Sequence, residues 1–242
     1  MKFGLNTVLS GFILICYSTL GFCDQINVYL KFNNPKLTRE IQQFNAYLDE
    51  HDVFSTYDIR PLIEHYPLHV TLYLADYHHS SIQKLKEITQ HLAAKARPIS
   101  LELNQIYVTP GTYVMLSIKQ ADTKDVPYSP LQKLSDKTVI KLAPLRDTEA
   151  TIPVWAANFP EKQRAFRQYG SPGVFFEYAP HFTLMAKEFE QPETSAAFQQ
   201  EMKALISQYP FPQFKIDATE MAIGYVDEYG QITEEIASFP LG

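Results

Sequence analysis

Two histidines and two threonines set the problem. His69 and Thr71 stand two residues apart, and His181 and Thr183 repeat the pair 112 positions later. The frames match as well: Tyr66-Pro67-Leu68-His69-Val70-Thr71-Leu72 against Tyr178-Ala179-Pro180-His181-Phe182-Thr183-Leu184. In a β-strand, residues i and i+2 point to the same face. Each strand therefore presents an imidazole and a hydroxyl together, with Val70 and Leu72, or Phe182 and Leu184, turned the other way. An unperturbed imidazole titrates at about pH 6.5, so one neutral and one protonated ring can serve as base and acid in a single step. The hydroxyls are donors that can orient an anionic oxygen.

The surrounding elements have to bring the two strands together. Residues 25–32 alternate, with Ile26, Val28, Leu30 and Phe32 on one face, and read as a strand. Thr38 is the expected cap of a helix running through His51 with Ile41, Phe44, Tyr47 and Leu48 inward. The first His-x-Thr strand covers about 68–76. Ser80-x-x-Gln83 reads as a capping box opening a helix that Arg97-Pro98 ends. Residues 99–108 form a strand, and Pro110-Gly111 a turn. The order then restarts. A strand at 112–119 precedes a helix opened by Ser129-Pro130-x-Gln132. The second His-x-Thr strand covers about 181–187, followed by a helix from Pro192, one long strand over 214–226, a turn at 227–230 and a last strand near 231–238. Corresponding elements are offset by 87, 91, 112, 112 and 114 residues, which is a duplicated unit with one insertion at about 143–176. That insertion carries Arg146, Trp155, Lys162, Arg164 and Arg167, with a short helix expected from Pro160 to Gly170. It reads either as a lid presenting cations to an anionic substrate or as an elaborated surface loop.

Residues 1–23 read as a signal peptide. Lys2 precedes the apolar run 8–20, and Gly21-Phe22-Cys23 offers small residues at alternate positions. The run is shorter than the roughly 20 residues that span a bilayer, so no stable membrane anchor is expected after cleavage and the mature chain, 24–242, is expected in the periplasm or outside the cell. Both cysteines, Cys16 and Cys23, lie in this segment, so the mature chain has no disulfide or Cys-based metal site. The whole chain carries a net charge of −6, which favours a small ligand over a long nucleic acid duplex. No Gly-rich phosphate loop, nucleophile elbow or Cys-His pair is present. His65, His78 and His79 lack companion carboxylates or cysteines at ligand spacing, so no metal centre is expected.

The paired motifs and the element order around them resemble the 2H phosphoesterase superfamily, which includes the 2′-5′ RNA ligases and cyclic phosphodiesterases. The resemblance covers essentially the whole chain after the signal segment. It implies an α+β fold of two pseudosymmetric lobes, each an antiparallel sheet with outer helices, and an active-site cleft between the sheets. It implies metal-independent chemistry without a cofactor, with His69, Thr71, His181 and Thr183 as catalytic residues. The substrate would be a 2′,3′-cyclic phosphate or a 2′-5′ phosphodiester on a nucleotide or RNA end. Tyr73, sharing parity with His69, is a candidate to line the cleft and stack on a base. Tyr66 and Tyr178 are candidates to flank its mouth. Many relatives carry a basic residue shortly after the second motif; here Met185 and Ala186 intervene before Lys187, the remaining substrate-binding candidate. Two other readings stand beside this one: an exported nucleotide-binding module with little turnover, and a metal-dependent hydrolase using the His65 to His79 cluster. The sequence leaves the oligomeric state open.

Overall fold

A computed structural model describes residues 23–119 and 129–242. The signal-peptide reading lies outside these residues except for Cys23. The first strand, β1 (Cys23–Lys31), is followed by α1 (Pro35–Asp49), the short α2 (Val53–Tyr57) and β2 (His69–His78). Then come α3 (Ile82–Ala93), β3 (Ile99–Val108), β4 (Val114–Ile118), α4 (Pro130–Leu142) and α5 (Pro160–Tyr169). β5 (His181–Met185), α6 (Pro192–Gln208), β6 (Lys215–Ala218), β7 (Glu220–Val226) and β8 (Ile232–Pro240) complete the chain. Both His-x-Thr pairs open strands, as their alternation requires.

The strands form two antiparallel four-stranded sheets, ordered β2-β1-β7-β8 and β5-β4-β3-β6. Each His-x-Thr strand lies on an edge beside the strand that opens its own half. The third strands are exchanged: β3 leaves the first half to join β4, and β7 leaves the second half to join β1. Lobes and sequence halves therefore do not coincide. The exchange also corrects the single strand expected over 214–226. The chain changes sheet at Thr219, and the burial parity changes with it, from Ile216 and Ala218 to Met221 and Ile223.

One apolar core lies between sheets and helices. Ile26, Val28, Leu30, Val70 and Leu72 face it from the first sheet, and Val114, Leu116, Phe182 and Leu184 from the second. α3 packs on β7 and β8, α4 on β2, and α6 on β3. α1 meets α6, where Phe44 stands edge-on to Tyr209 at 5.1 Å.

Two helix starts differ from expectation. Asn34, not Thr38, caps α1: its Oδ1 accepts from Leu37 N at 3.0 Å, with Pro35 at the first helical position. Ser80 makes no capping box, because a 3₁₀ turn over 79–81 delays α3 to Ile82 and the hydroxyl of Ser81 reaches Leu145 O instead. Ser129 caps α4 as expected, through Gln132 N at 3.1 Å. Gln132 does not return the bond; its amide donates to Asp136 and to Phe175 O.

Candidate active site

Each motif strand carries the same irregularity. β1 pairs with β2 so that Val28 opposes Tyr73 and Tyr29 opposes Thr71, leaving Leu72 as an extra residue. β4 pairs with β5 so that Val114 opposes Met185 and Met115 opposes Thr183, leaving Leu184 extra. The Leu of each His-x-Thr-Leu is thus the bulged residue. A bulge re-aims the side chains beyond it. In β2 the freed Leu72 carbonyl accepts from the Ser135 hydroxyl of α4 at 2.8 Å.

Both imidazoles are clamped alike. His69 Nδ1 lies 3.1 Å from Pro67 O, and His181 Nδ1 lies 2.7 Å from Ala179 O. A carbonyl only accepts, so each Nδ1 carries the proton and each neutral ring keeps a bare Nε2. His69 is buried and His181 partly exposed. Burial pushes the pKa of His69 down to about 4, and the neighbouring His181 charge lowers it further, whereas the Pro67 and Gly230 carbonyls and Asp227 act the other way. Burial also lowers His181, opposed by the Ala179 carbonyl. Repulsion between the two rings places them in one electrostatic neighbourhood. His69, Phe182 and Thr183 line a common cavity of about 10 Å³ with Tyr66, Pro67 and Gln231. The edge strands of the two sheets meet there.

Thr71 is oriented by a residue that lies outside both motifs. The buried Asn27 donates from Nδ2 to Thr71 Oγ1 at 2.8 Å. With a lone pair occupied, the Thr71 hydroxyl proton is free to point outward as a donor. Tyr29, opposite Thr71, stands edge-on to the His69 ring at 5.6 Å and donates to Glu235 at 3.2 Å. The turn 227–230 is the second contribution unmarked by motif. Gly230, at φ 77°, brings its carbonyl to His69, Asp227 engages the Tyr66 hydroxyl, and Tyr229 meets Tyr113 of the other lobe at 6.2 Å. Asn27 was legible as a polar residue in an apolar strand, and the turn as a turn; neither pattern names its target.

The tyrosines and Lys187 separate from the histidines. Tyr73 does not line the cleft. The Leu72 bulge turns it to the helix side opposite Val28, where it is buried and donates to Tyr169 O of the insertion. Tyr178 is also buried, and its hydroxyl donates to Thr71 O at 2.9 Å, tying the second motif to the backbone of the first. Tyr66 keeps its place at the mouth, half-buried in the wall of the His69 cavity. Lys187 reaches Asp58 instead, with Nζ 2.9 Å from its carbonyl and 3.2 Å from its carboxylate.

The insertion braces the outer edge of β2. Arg146 bridges to Tyr77, and Asp147 N donates to Asp76 O at 2.7 Å. α5 ends at Gly170 in the left-handed region, as expected. Arg146 turns to Ala143 O, Lys162 to Glu177 and Arg167 to Gln163, so these three cations are engaged locally. The histidine cluster is divided. His65 precedes β2, His78 ends it, and His79 opens the 3₁₀ turn that follows. His78 lies with Cys23 and Asp147, their ligand atoms within 4.8 Å of one another, and His79 pairs with Asp24. This Cys-His-Asp grouping departs from the expectation that His78 has no such companions, because pairing at the open end of β1 and the docked insertion supply them. It is surface-exposed and remote in the strand from His69.

Two antiparallel sheets, each with a motif histidine held by the same backbone clamp on its edge strand, define a bilobal α+β class of fold. The family comparison agrees: the model of the 2′-5′ RNA ligase superfamily matches residues 35–228. The chain belongs to that superfamily, a group of 2H phosphoesterases. Solved structures share the fold. Escherichia coli LigT complexed with 3′-AMP aligns at 13% identity and TM-score 0.53, covering 91% of this chain and 99% of that one. TT0787 of Thermus thermophilus aligns at 13% and 0.54, covering 90% and 97%. A crystal structure described as a phosphoesterase aligns at 12% and 0.52, covering 90% and 98%. No curated protein sequence matches significantly.

Proposed function

We propose that the protein is a metal-independent phosphodiesterase that opens a 2′,3′-cyclic phosphate, or cleaves a 2′-5′ phosphodiester, on a nucleotide or RNA end. The carrying observation is the shared clamp: each motif histidine gives its Nδ1 proton to the carbonyl two residues before it, which leaves both Nε2 atoms for proton transfer. His69, the more deeply buried and the more readily neutral, is the base. It takes a proton from the attacking water as the new P–O bond forms. His181, closer to solvent, is the acid, made imidazolium by the incoming phosphate anion. It gives its proton to the ribose oxygen as the old P–O bond breaks, leaving a phosphomonoester. Thr71 and Thr183 donate to the non-bridging oxygens.

Purified protein should hydrolyse a nucleoside 2′,3′-cyclic phosphate in EDTA. Full activity in the His69→Ala/His181→Ala double variant would refute the proposal. A binding module with little turnover is the second reading, favoured by the small volume at His69 and by Lys187 being tied to Asp58. Calorimetry showing nucleotide binding without product would select it. We also propose that residues 1–23 direct export; the N-terminal sequence of protein recovered from periplasm or medium tests this.

A further inference from the structure

The insertion that braces β2 turns an unusual surface outward. Among the described residues five large apolar side chains are exposed, and four of them belong to it: Val154 at 88%, Trp155 at 54%, Phe159 at 51% and Phe176 at 99%. Single apolar residues on a surface need no explanation, whereas a contiguous group marks a contact surface. These four are joined. Lys162 Nζ lies 5.7 Å over the Trp155 ring and donates at 2.9 Å to Glu177, the neighbour of Phe176. Val154 precedes Trp155 in one 3₁₀ turn, and Phe159 N donates to Ala156 O of that turn at 3.1 Å. Ala156 is fully buried and anchors the turn. No residue of the insertion lines the cavity at His69.

The local structure departs from ordinary preferences to display them. Phe159 occupies the N-cap of α5, where a side-chain oxygen usually accepts from the first turn, and its side chain caps nothing. Phe175 adopts φ 54°, a left-handed conformation that is costly for a bulky residue. Gln132 of α4 donates to its carbonyl at 3.1 Å, and the Tyr169 ring packs 4.7 Å from its own, so the conformation is held. One phenylalanine thus packs on the core while the next stands in solvent. Such departures collect at functional sites. Charge follows the same segment. Residues 150–176 carry Lys162, Arg164 and Arg167 against Glu161 alone, in a chain of net charge −6. Arg164 and Arg167 are exposed on α5, whose Ala165 and Tyr169 pack inward. The partner of Arg167 is the neutral Gln163. Val154 has no ring to stack on a base, so what the four tips share is apolarity, and each sits on a turn or a helix start. Protruding apolar tips flanked by cations suit the headgroup layer of an anionic lipid surface. Among the described residues no helix is long and apolar enough to cross a membrane, so the contact is peripheral.

We infer that the insertion docks the protein reversibly on an anionic lipid surface, with Val154, Trp155, Phe159 and Phe176 entering the headgroup layer and Arg164 and Arg167 against lipid phosphates. The contact is independent of the phosphodiesterase reading. Trp155 is the one tryptophan of the chain, so its emission reports this surface and no other. The purified protein is titrated with vesicles of pure phosphatidylcholine and with vesicles of phosphatidylcholine mixed with phosphatidylglycerol. Emission should shift to the blue on the anionic vesicles, and the shift should need more lipid on the neutral ones and in high salt. Phe176→Ser, at an exposed position, should raise the lipid concentration for half the shift roughly tenfold. Arg164→Gln should raise it about fivefold on the anionic vesicles. An emission spectrum that anionic vesicles leave unmoved overturns the inference, as does equal binding to neutral ones. Binding that both variants keep at wild-type strength places the contact elsewhere and overturns it too. If sedimentation velocity without lipid shows a dimer that Phe176→Ser dissociates, and vesicles leave the emission unmoved, the surface binds protein and the inference falls.

Discussion

The two lobes repeat one backbone design with different neighbours. In each, the imidazole is clamped by the carbonyl two residues earlier and the Leu after the Thr is bulged. The strand beside them diverges. Lys31 and Tyr29 oppose His69 and Thr71 in the first lobe, where Ser117 and Met115 oppose His181 and Thr183 in the second. Lys31 is held between Glu220 and Glu235 at 3.3 and 2.9 Å, and Tyr29 donates to Glu235. The first lobe thus surrounds its histidine with a closed ionic network and an edge-on ring. The second sets only the neutral side chains of Ser117 and Met115 across from its motif residues. On the proposed mechanism, the same backbone design in unlike settings would take unlike tasks: a buried neutral base on one side and an acid nearer solvent on the other.

The largest expected effect breaks this comparison at the leaving group. With a nucleoside 2′,3′-cyclic phosphate, His69→Ala and His181→Ala should each lower kcat by about two to four orders of magnitude. With a p-nitrophenyl phosphodiester, whose leaving group departs without a proton, the loss in His181→Ala should shrink to roughly tenfold or less. The loss in His69→Ala should persist. Equal rescue of both variants would mean that the lobes are interchangeable.

Stability against acid sharpens the same contrast. The folded-state pKa of His69 is depressed to about 4, below the unfolded value of about 6.5. The unfolded chain binds more protons between these values, so the contribution of neutral His69 is fully present above pH 6.5 and lost as pH falls through 4. In urea titrations the wild type should lose stability over this window with a slope of at most about 1.4 kcal/mol per pH unit from this group. His69→Gln should flatten that slope more than His181→Gln does, and an unchanged slope would contradict the deep burial.

Smaller effects separate structural from superficial tyrosines. Tyr178→Phe removes the hydroxyl that joins the second motif to Thr71 O and leaves a buried carbonyl short of a partner, a cost of about 1–3 kcal/mol in urea denaturation. Tyr66→Phe, at the half-exposed mouth, should fall within about 0.5 kcal/mol of wild type. Smallest of all, Lys31→Met removes partly exposed ion pairs of about 0–1 kcal/mol. A large stability loss there would show that the ionic network does more than surround His69.

Legibility followed the range of the interaction. Alternation and spacing identified both motif strands and the helix α5, because those signals are local and periodic. Parity failed at Tyr73. A one-residue bulge at Leu72 turns it to the core, and the cause of that bulge is pairing with β1, about 45 residues away in sequence. The reading of 214–226 as one long strand failed for a similar reason, since a change of sheet at Thr219 breaks no local pattern except burial parity. Lys187 was drawn toward the motif by proximity in sequence, but its amine answers to Asp58 on another loop. Asn27 and Gly230 reach the site only through strand pairing and a turn from the far end of the chain. The ring clamps, by contrast, span only two residues.

The central claim is that His69 and His181 act as one unit on one phosphate. The most direct measurement is kcat for a nucleoside 2′,3′-cyclic phosphate in EDTA for wild type, both single His→Ala variants and the double. Groups sharing a step are strongly non-additive, so the double variant should lose about as much activity as the worse single one. Losses that multiply, as for two independent sites, would contradict the account.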